Sequence, residues 1–516
     1  MKITTISRRR FIEDSMITAM AIGSAGLLNP TAIAQEPDAD TNLTVAENDK
    51  IGIALIGAGS RAGDHINGYK KNKYVKILYV CDPDTSRTNA RCNEIERNFG
   101  YRPKALADFR EALEDKNVAA ISGATTNHWH ALAAVWGLQA GKHVFMEKPL
   151  THNIHEGKAI TAAAKKYKLV FQTGTQCRSA KNVQDVIKYV HDGGIGEVKF
   201  ARGICYKRRK AIDALGNYPI PENINYDLWS GPAQIKPLTR KNFHYDWHWQ
   251  RYYGNGDLGN QGPHQTDIAR WFLEIERFPN SVISYGGRLG YEIEKNDPNY
   301  IDAGDVANTE ISIYNYGDKS IVFETRGLTT EPILVPNTTN AGTLVGVIAY
   351  GTKGYALQGF SLKGQTYNQS AIFDLEGNLV QKFNSGENHY NNFIDAIRKN
   401  DPAAVTADAR CGALSAAISH LGNISYYLNE QNKISVDELK KELKNIKSHD
   451  DNETTLERTV EHLKKNQVDL EKTPLTLGTF LKIDVDKEEF INNPKANELL
   501  SRDYRKEYEV PKPENV

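Results

Sequence analysis

The chain is poor in cysteine: Cys81, Cys92, Cys177, Cys205 and Cys411 are widely spaced among 516 residues, odd in number, and form no Cys-x-x-Cys pair. That pattern argues against a disulfide framework and supplies no thiolate zinc site. Long runs of one charge are also missing, and 64 basic residues balance 64 acidic ones. Nucleic acid and acidic lipid therefore gain no electrostatic hold. The apolar stretch "MITAMAIGSAGLL" (16–28) falls short of the roughly 20 residues of a membrane span. Histidines gather in "HWH" (128–130) and "HYDWH" (244–248), but no further ligand pair stands at metal spacing, so no metal is expected. Internal repeats and low-complexity segments are absent.

What is present is a globular composition, 40% apolar and 25% charged, enough for two or three domains with cores of their own. Arg8, Arg9 and Phe11, the apolar run after them and the small residues Ala32 and Ala34 together resemble a twin-arginine export signal. The expectation is a signal over 1–34, a polar linker over 35–49, the twin-arginine machinery as a partner, and a periplasmic or otherwise exported protein. Substrates of that route fold before export, which leaves the thiols reduced, as small core residues.

"IGIALIGAGSRAGDHINGY" (51–69) runs from a strand-length apolar segment through Gly57, Gly59 and Gly63 into a helix, and "VKILYVC" (75–81) ends at Asp82. Gly57 permits a tight turn, Gly59 lets backbone approach a pyrophosphate, and the helix N-terminus offers free amides. Asp82 can accept from a ribose hydroxyl pair. The third glycine comes one position late, and Ala62 fills its packing role. Further strand-like runs at 118–124, 142–147 and 168–174 alternate with helical stretches, which predicts a doubly wound parallel sheet over 50–174. Ligands in such sheets sit at the carboxyl ends of the strands. There lie Thr125, Thr126 and Asn127, and also Glu147, Lys148 and Pro149 of "KHVFMEKPL".

"GAGSRAG", Asp82, "GATTNHWH", "MEKP" and "GNQGPHQTDIARW" (259–271) together resemble the Gfo/Idh/MocA oxidoreductases. The resemblance implies an α/β plus α+β protein, a Rossmann doubly wound parallel sheet followed by an open-faced antiparallel β-sheet domain. That second domain is expected over 175–430, with a C-terminal extension over 431–516. By resemblance Lys148 and His264 are the catalytic pair. Gly57, Gly59, Ser60, Arg61, Asp82, Thr125, Asn127, His130, Glu147 and Lys148 then hold the cofactor, and Asn260, Asp267, Tyr206 and Arg178 contact the substrate. The family often carries an aspartate where this chain has Asn260, which can orient a neighbour but takes no proton.

The implied activity is oxidation of a sugar or cyclitol hydroxyl. Lys148 orients the oxygen, His264 takes the proton, and hydride passes to a tightly bound NAD. Asp82 is followed by Pro83 and not by an arginine for a 2′-phosphate, which favours NAD over NADP; Arg61 is the one residue against it. The alternative is a glycosidase that oxidises its sugar transiently and eliminates the glycosidic bond, with no net redox change. A non-catalytic sugar-binding protein is disfavoured by the intact Lys148 and His264. A homo-oligomer is expected.

Strand-like pieces at 197–206, 279–287, 306–316, 319–327 and 343–359 predict the second sheet. The polar-aromatic stretches "YKRRK" (206–210) and "FHYDWHWQRYY" (243–253) are of a kind that suits both the apolar face and the hydroxyl edge of a sugar.

Overall fold

Strands alternate with helices from Ile51 to Thr173 because short apolar runs ending in Gly, Asp or Thr are too short for anything but strands. In the computed structural model these are β1 (Ile51–Ile56), β2 (Val75–Cys81), β3 (Lys104–Leu106), β4 (Ala120–Gly123), β5 (His143–Met146) and β6 (Phe171–Thr173). The structure describes residue 46 and residues 49–330, 344–359, 369–384 and 388–516. The expected export signal and nearly all of the linker lie outside these residues.

The six strands are parallel in the order β3-β2-β1-β4-β5-β6. Strand order reverses between β1 and β4, which opens a crevice at their carboxyl ends. Helix Asn127–Gln139 lays Leu132 and Val135 on one face of the sheet. Helix Ser60–Tyr69 lays Ile66 and Tyr69 on the other, beside Phe393 and Ile394. Sequence periodicity missed β3, whose three residues are largely exposed and show no apolar pattern.

The second sheet contains β7 (Val198–Tyr206), β8 (Ser281–Gly287), β9 (Thr309–Asn315), β10 (Ser320–Arg326), β11 (Leu344–Gly351), β12 (Gly354–Gln358), β13 (Gln369–Asp374) and β14 (Leu379–Asn384). The run expected over 343–359 is a hairpin, turning at Thr352 and Lys353 between β11 and β12. Neighbours are antiparallel except β7 and β10, which run parallel. Helices Gly262–Phe272 and Ala409–Tyr427 cover one face, with Ile268, Phe272, Leu414 and Ile418 against Ala201, Cys205, Tyr314 and Phe323.

The opposite face was expected to be open, and over β7 to β10 it is not. Helices Val436–Leu443 and Asn452–Lys465 of the extension press Leu439, Leu443, Leu456 and Leu463 onto Phe200, Ile283, Ile311 and Val322. Each buried leucine contributes about 1.5–3 kcal/mol. The extension also adds β15 (Lys433–Ile434), β16 (Leu475–Leu477) and β17 (Leu481–Asp484) along the β8 edge. Its last residues return to the first domain, where Tyr508 meets Trp129 edge-on at 5.5 Å.

Candidate active site

A cleft of about 690 Å³ lies over the carboxyl ends of β1, β2, β4 and β5. Its floor is the turn after β1, where Gly57 has φ +88°; a Cβ there would stand 2.5 Å from Ala124 O. Helix Ser60–Tyr69 starts at Gly59 with no side-chain cap, so its first amides are free for an anion. Arg91 fixes this turn from below, donating to Gly59 O at 2.7 Å and Ala58 O at 3.3 Å.

Asp82 stands at the end of β2. Its carboxylate accepts from Ala58 N at 2.7 Å and Asp84 N at 2.8 Å. Burial raises its pKa, and those two bonds oppose the rise. At the next strand end Asn127 Nδ2 and Thr126 Oγ1 are buried with no partner, and both residues line the cleft. His130 ties two strand ends together, with Nδ1 2.6 Å from Pro149 O and Nε2 3.1 Å from Thr125 O.

Glu147 is inside a network. Arg61 Nε donates to it at 2.8 Å, and His65 Nε2 lies 3.2 Å away while His65 Nδ1 faces Ser122 Oγ at 2.8 Å. Burial alone would raise the Glu147 carboxyl, but Arg61 and His65 hold it well below its ordinary value. Arg61 is thereby committed to Glu147 and Asp64.

Lys148 follows, with a cis peptide bond to Pro149. Its Nζ donates to Asn260 O at 3.0 Å and approaches Asn260 Oδ1 at 3.3 Å. Burial lowers the ammonium to about 8, Arg61, Lys207 and Arg209 push the same way, and Glu147 opposes them. His264 is buried on helix Gly262–Phe272, with Nδ1 lacking a partner. Burial, then the Lys148 charge, keeps it neutral well below its usual range. It is not among the residues that line the cleft.

Gly57, the buried orphan donor of Asn127, the free helix amides and Asp82 at the neighbouring strand end are the set a dinucleotide requires. Residues 51–175 match the family described as "Oxidoreductase family, NAD-binding Rossmann fold", and residues 182–284 match its "C-terminal alpha/beta domain". These two segments, 228 of the 516 residues, are similar to the two domains of the Gfo/Idh/MocA oxidoreductases.

Among curated relatives, the levoglucosan dehydrogenase of Pseudarthrobacter phenanthrenivorans is 28% identical over 245 residues, 45% of this chain and 54% of that protein. Glycosyl hydrolase family 109 protein 2 of Shewanella sp. strain ANA-3 is 30% identical over 158 residues, 29% of this chain and 35% of its own. Inositol 2-dehydrogenase of Salmonella paratyphi B is 27% identical over 154 residues, covering 30% and 45%. The chain thus spans about half or less of each. Levoglucosan dehydrogenase solved with NADH superposes with a TM-score of 0.53 at 17% identity, covering 72% of this chain and 95% of that one. GenD2 from gentamicin A biosynthesis, solved with NAD, gives 0.51 at 18%, covering 72% and 93%.

Gly57, Gly59, Ser60, Arg61, Asp82, Thr125, Asn127, His130, Glu147, Lys148 and Asn260 all border the cleft. Three of the residues expected at the substrate do not. Tyr206 donates to Glu324 Oε2 at 2.6 Å in a buried cluster with Arg326 on the far side of the sheet. Tyr206 is the last residue of β7. Just beyond it the chain stays bonded beside β10, with Lys207 N donating to Arg326 O and Arg209 N to Gly327 O, and Lys207 and Arg209, of opposite parity to Tyr206, line the cleft instead. Arg178 and Asp267 are committed to each other, at 2.8 and 2.9 Å, and Asp267 also accepts from Ser415 Oγ at 2.7 Å. Burial alone would raise Asp267; Arg178 outweighs it and holds the carboxyl at about 2.

The polar-aromatic stretch supplies groups that spacing alone did not single out. Tyr245, Trp247 and His248 line the cleft opposite Lys148. Arg209 is fixed there by Asp257 at 2.7 and 2.8 Å and by the Tyr245 hydroxyl at 3.1 Å. His248 stacks on Trp247 with centroids 3.7 Å apart, and its Nδ1 contacts Tyr245 O. A carbonyl only accepts, so Nδ1 carries the proton and Nε2 is left as an acceptor. Among the described residues no cluster of three or more His, Cys, Asp or Glu is arranged to hold a metal.

Proposed function

We propose that this chain oxidises a hydroxyl of a sugar or cyclitol, with NAD bound in the cleft as the hydride acceptor. The observation that carries the proposal is Lys148: a partly desolvated ammonium of pKa about 8 at the end of β5, aimed by Asn260 at the floor of an NAD cleft. A cation in that place favours the alkoxide character that develops on the substrate oxygen. His264 is neutral and close enough to Lys148 for that charge to lower its pKa; it takes the hydroxyl proton provided that substrate and dinucleotide bring the hydroxyl within reach of a ring that does not itself line the cleft. His248, with its free Nε2, receives a second hydroxyl, and Arg209 with Tyr245 and Trp247 forms the wall that sorts substrates.

Turnover of a panel of sugars and cyclitols is the test. Lys148→Met and His264→Gln should each lower kcat by about 10²–10⁴ with the dinucleotide still bound, whereas His248→Gln should raise KM more than it lowers kcat. Near-normal turnover in Lys148→Met refutes the proposal. Loss of kcat in His248→Gln with His264→Gln active exchanges the two histidine roles.

The similarity to a protein named glycosyl hydrolase family 109 supports a second reading. Transient oxidation of a ring hydroxyl acidifies the neighbouring C–H, and the glycosidic bond then leaves by elimination. Release of aryl alcohol from an aryl glycoside without any electron acceptor favours that reading; net ketone formation favours the dehydrogenase.

We further propose that NAD is preferred over NADP, since Arg61 is engaged by Glu147 and Asp64, and that it is retained through export. The second domain is stitched to the end of β2 beside Asp82. Asn225 N donates to Pro83 O at 2.9 Å, Asn223 Nδ2 donates to Asp84 Oδ1 at 2.7 Å, and His244 Nε2 lies 2.8 Å from Asp84 Oδ2. A roof held this way slows dissociation. Protein purified without added cofactor should release near-stoichiometric NAD(H) on denaturation. An empty protein whose rate rises hyperbolically with added NAD counts against retention.

A further inference from the structure

We infer that the chain carries a second ligand site, for a sugar bearing an anionic group, where the C-terminal extension closes against the segment between Gln234 and Asn255. A cavity of about 410 Å³ lies there, distinct from the NAD cleft and sharing none of its lining residues. That size admits a monosaccharide with its first waters.

Positive charge dominates the wall. Lys236 Nζ sits 3.8 Å from the ring centroid of Tyr252, and the Arg502 guanidinium sits 4.8 Å from the same centroid. Arg502 also donates to Tyr252 O at 3.1 Å, which fixes its direction. Neither cation has an ion-pair partner among the described residues. Arg251, the third cation, is matched by Glu430 at 3.0 Å. Among the described residues that line the cavity, the only carboxylate is the exposed Asp503. Two unmatched cations held on one aromatic ring form a receptor for an anion.

Beside them are polar groups with nothing to bond. Asn255 is 7% exposed. Its Nδ2 donates to His152 O at 3.1 Å, so the free end is Oδ1, a buried acceptor without a partner. The Tyr427 hydroxyl is likewise buried and unpartnered. Leaving such groups unsatisfied is unfavourable, and a molecule rich in hydroxyls satisfies both. Cations at one end and a bare acceptor at the other describe a uronate or a sugar phosphate, not an isolated phosphate ion. Asn255 immediately precedes the short helix Gly256–Asn260, whose last residue holds Lys148. The two cavities are therefore linked through one five-residue helix and the residue that precedes it.

Calorimetric titration of the full chain tests this, using D-glucuronate and D-glucose 6-phosphate as probes, with D-glucose and inorganic phosphate alone as controls. At least one anionic sugar should bind in the millimolar range or tighter, and whichever does identifies the source of the anion. Binding should weaken at least tenfold in Lys236→Met and in Arg502→Gln, yet persist in Lys148→Met. Lys236 is exposed, so Lys236→Met should keep the native melting temperature and decides the matter if Arg502→Gln folds poorly. The inference is overturned if neither anionic sugar binds, if glucose or phosphate alone binds as tightly, or if Lys236→Met leaves affinity unchanged.

Discussion

Replacing Asn260 by aspartate places a carboxylate where an amide oxygen now stands 3.3 Å from Lys148 Nζ. At that distance, with an effective dielectric constant near 20, the added attraction is about 5 kcal/mol. Part of it is lost in desolvating the new charge, and an opposite charge this close typically shifts a pKa by about 1–3 units. Lys148 starts at about 8, a value depressed below that of a free lysine, so the ammonium is present below pH 8 and lost as pH rises through it. If the ammonium is what the reaction needs, kcat of the native enzyme falls on the alkaline side of pH 8. In Asn260→Asp that limb should move up by one to two units. Asn260→Ala is the control: Nζ keeps its bond to the backbone oxygen at 3.0 Å, and the limb should stay near 8. The assay is a pH series of kcat on protein with its dinucleotide bound. An alkaline limb in the same place for both variants would refute the assignment of that limb to Lys148.

Three further outcomes follow from the same geometry. Gly57→Ala forces a side chain to within 2.5 Å of Ala124 O at φ +88°, so the variant should lose bound NAD, and a folded variant with native NAD content contradicts the turn's role. Asp84→Ala removes the acceptor of Asn223 and the partner of His244; NAD should then dissociate at least tenfold faster, read by fluorescence of the released nucleotide, with little change in kcat under saturating cofactor. Arg178→Ala removes the two-point contact and leaves buried Asp267 with Arg270 at 3.5 Å and the Ser415 hydroxyl at 2.7 Å, a loss smaller than the roughly 3–5 kcal/mol of a fully orphaned buried charge, so the melting temperature should drop. The linkage has a definite sign. Asp267 is depressed to about 2, so its contribution is present above the unfolded carboxyl value near 4 and is lost as pH falls toward 2. The stability gap between the native chain and Arg178→Ala should therefore close on acidification, and a gap that stays constant to pH 2 excludes the pair as its cause.

The nucleotide half of the site was legible in the sequence because its determinants are local. A strand, a turn, a glycine with positive φ and a helix N-terminus occupy consecutive residues from Ile51 to Tyr69, and each forces the next. Lys148 was legible for the same reason, two residues beyond β5. Arg61 shows where local reading stops. From sequence it was a cation in the glycine loop, free to meet a 2′-phosphate; in the fold Glu147, 86 positions away, takes it at 2.8 Å. That partner was visible as a residue but not as a neighbour.

The substrate half was legible only in part: Asn260 borders the cleft and Tyr206 does not, and Tyr206 shows why. Both it and Lys207 stand in the stretch expected at the pocket, and which of them faces the cleft depends on the parity with which β7 enters the sheet. That parity is set by pairs such as Cys205 with Val345 and Thr325, drawn from strands far along the chain. Asp267 failed on a related point. One turn beyond His264 on a helix normally means a shared face, but helix Gly262–Phe272 is buried on nearly every side, so residues with different azimuths meet different neighbours. His264 is close enough to Lys148 for that charge to lower its pKa, and Asp267 turns to Arg178, Ser415 and Cys411. A buried carboxylate in such a helix keeps its charge only where a cation reaches it; Arg270, one turn on in the same helix, stands at 3.5 Å, and Arg178, on the short turn before helix Lys181–His191, supplies the closer two-point contact. The pair sets how the helix carrying His264 sits against the Ala409–Tyr427 helix, so its effect on turnover should pass through the position of His264. Arg178→Lys, which keeps the charge but not the two-point contact, should therefore shift kcat without shifting the affinity for NAD.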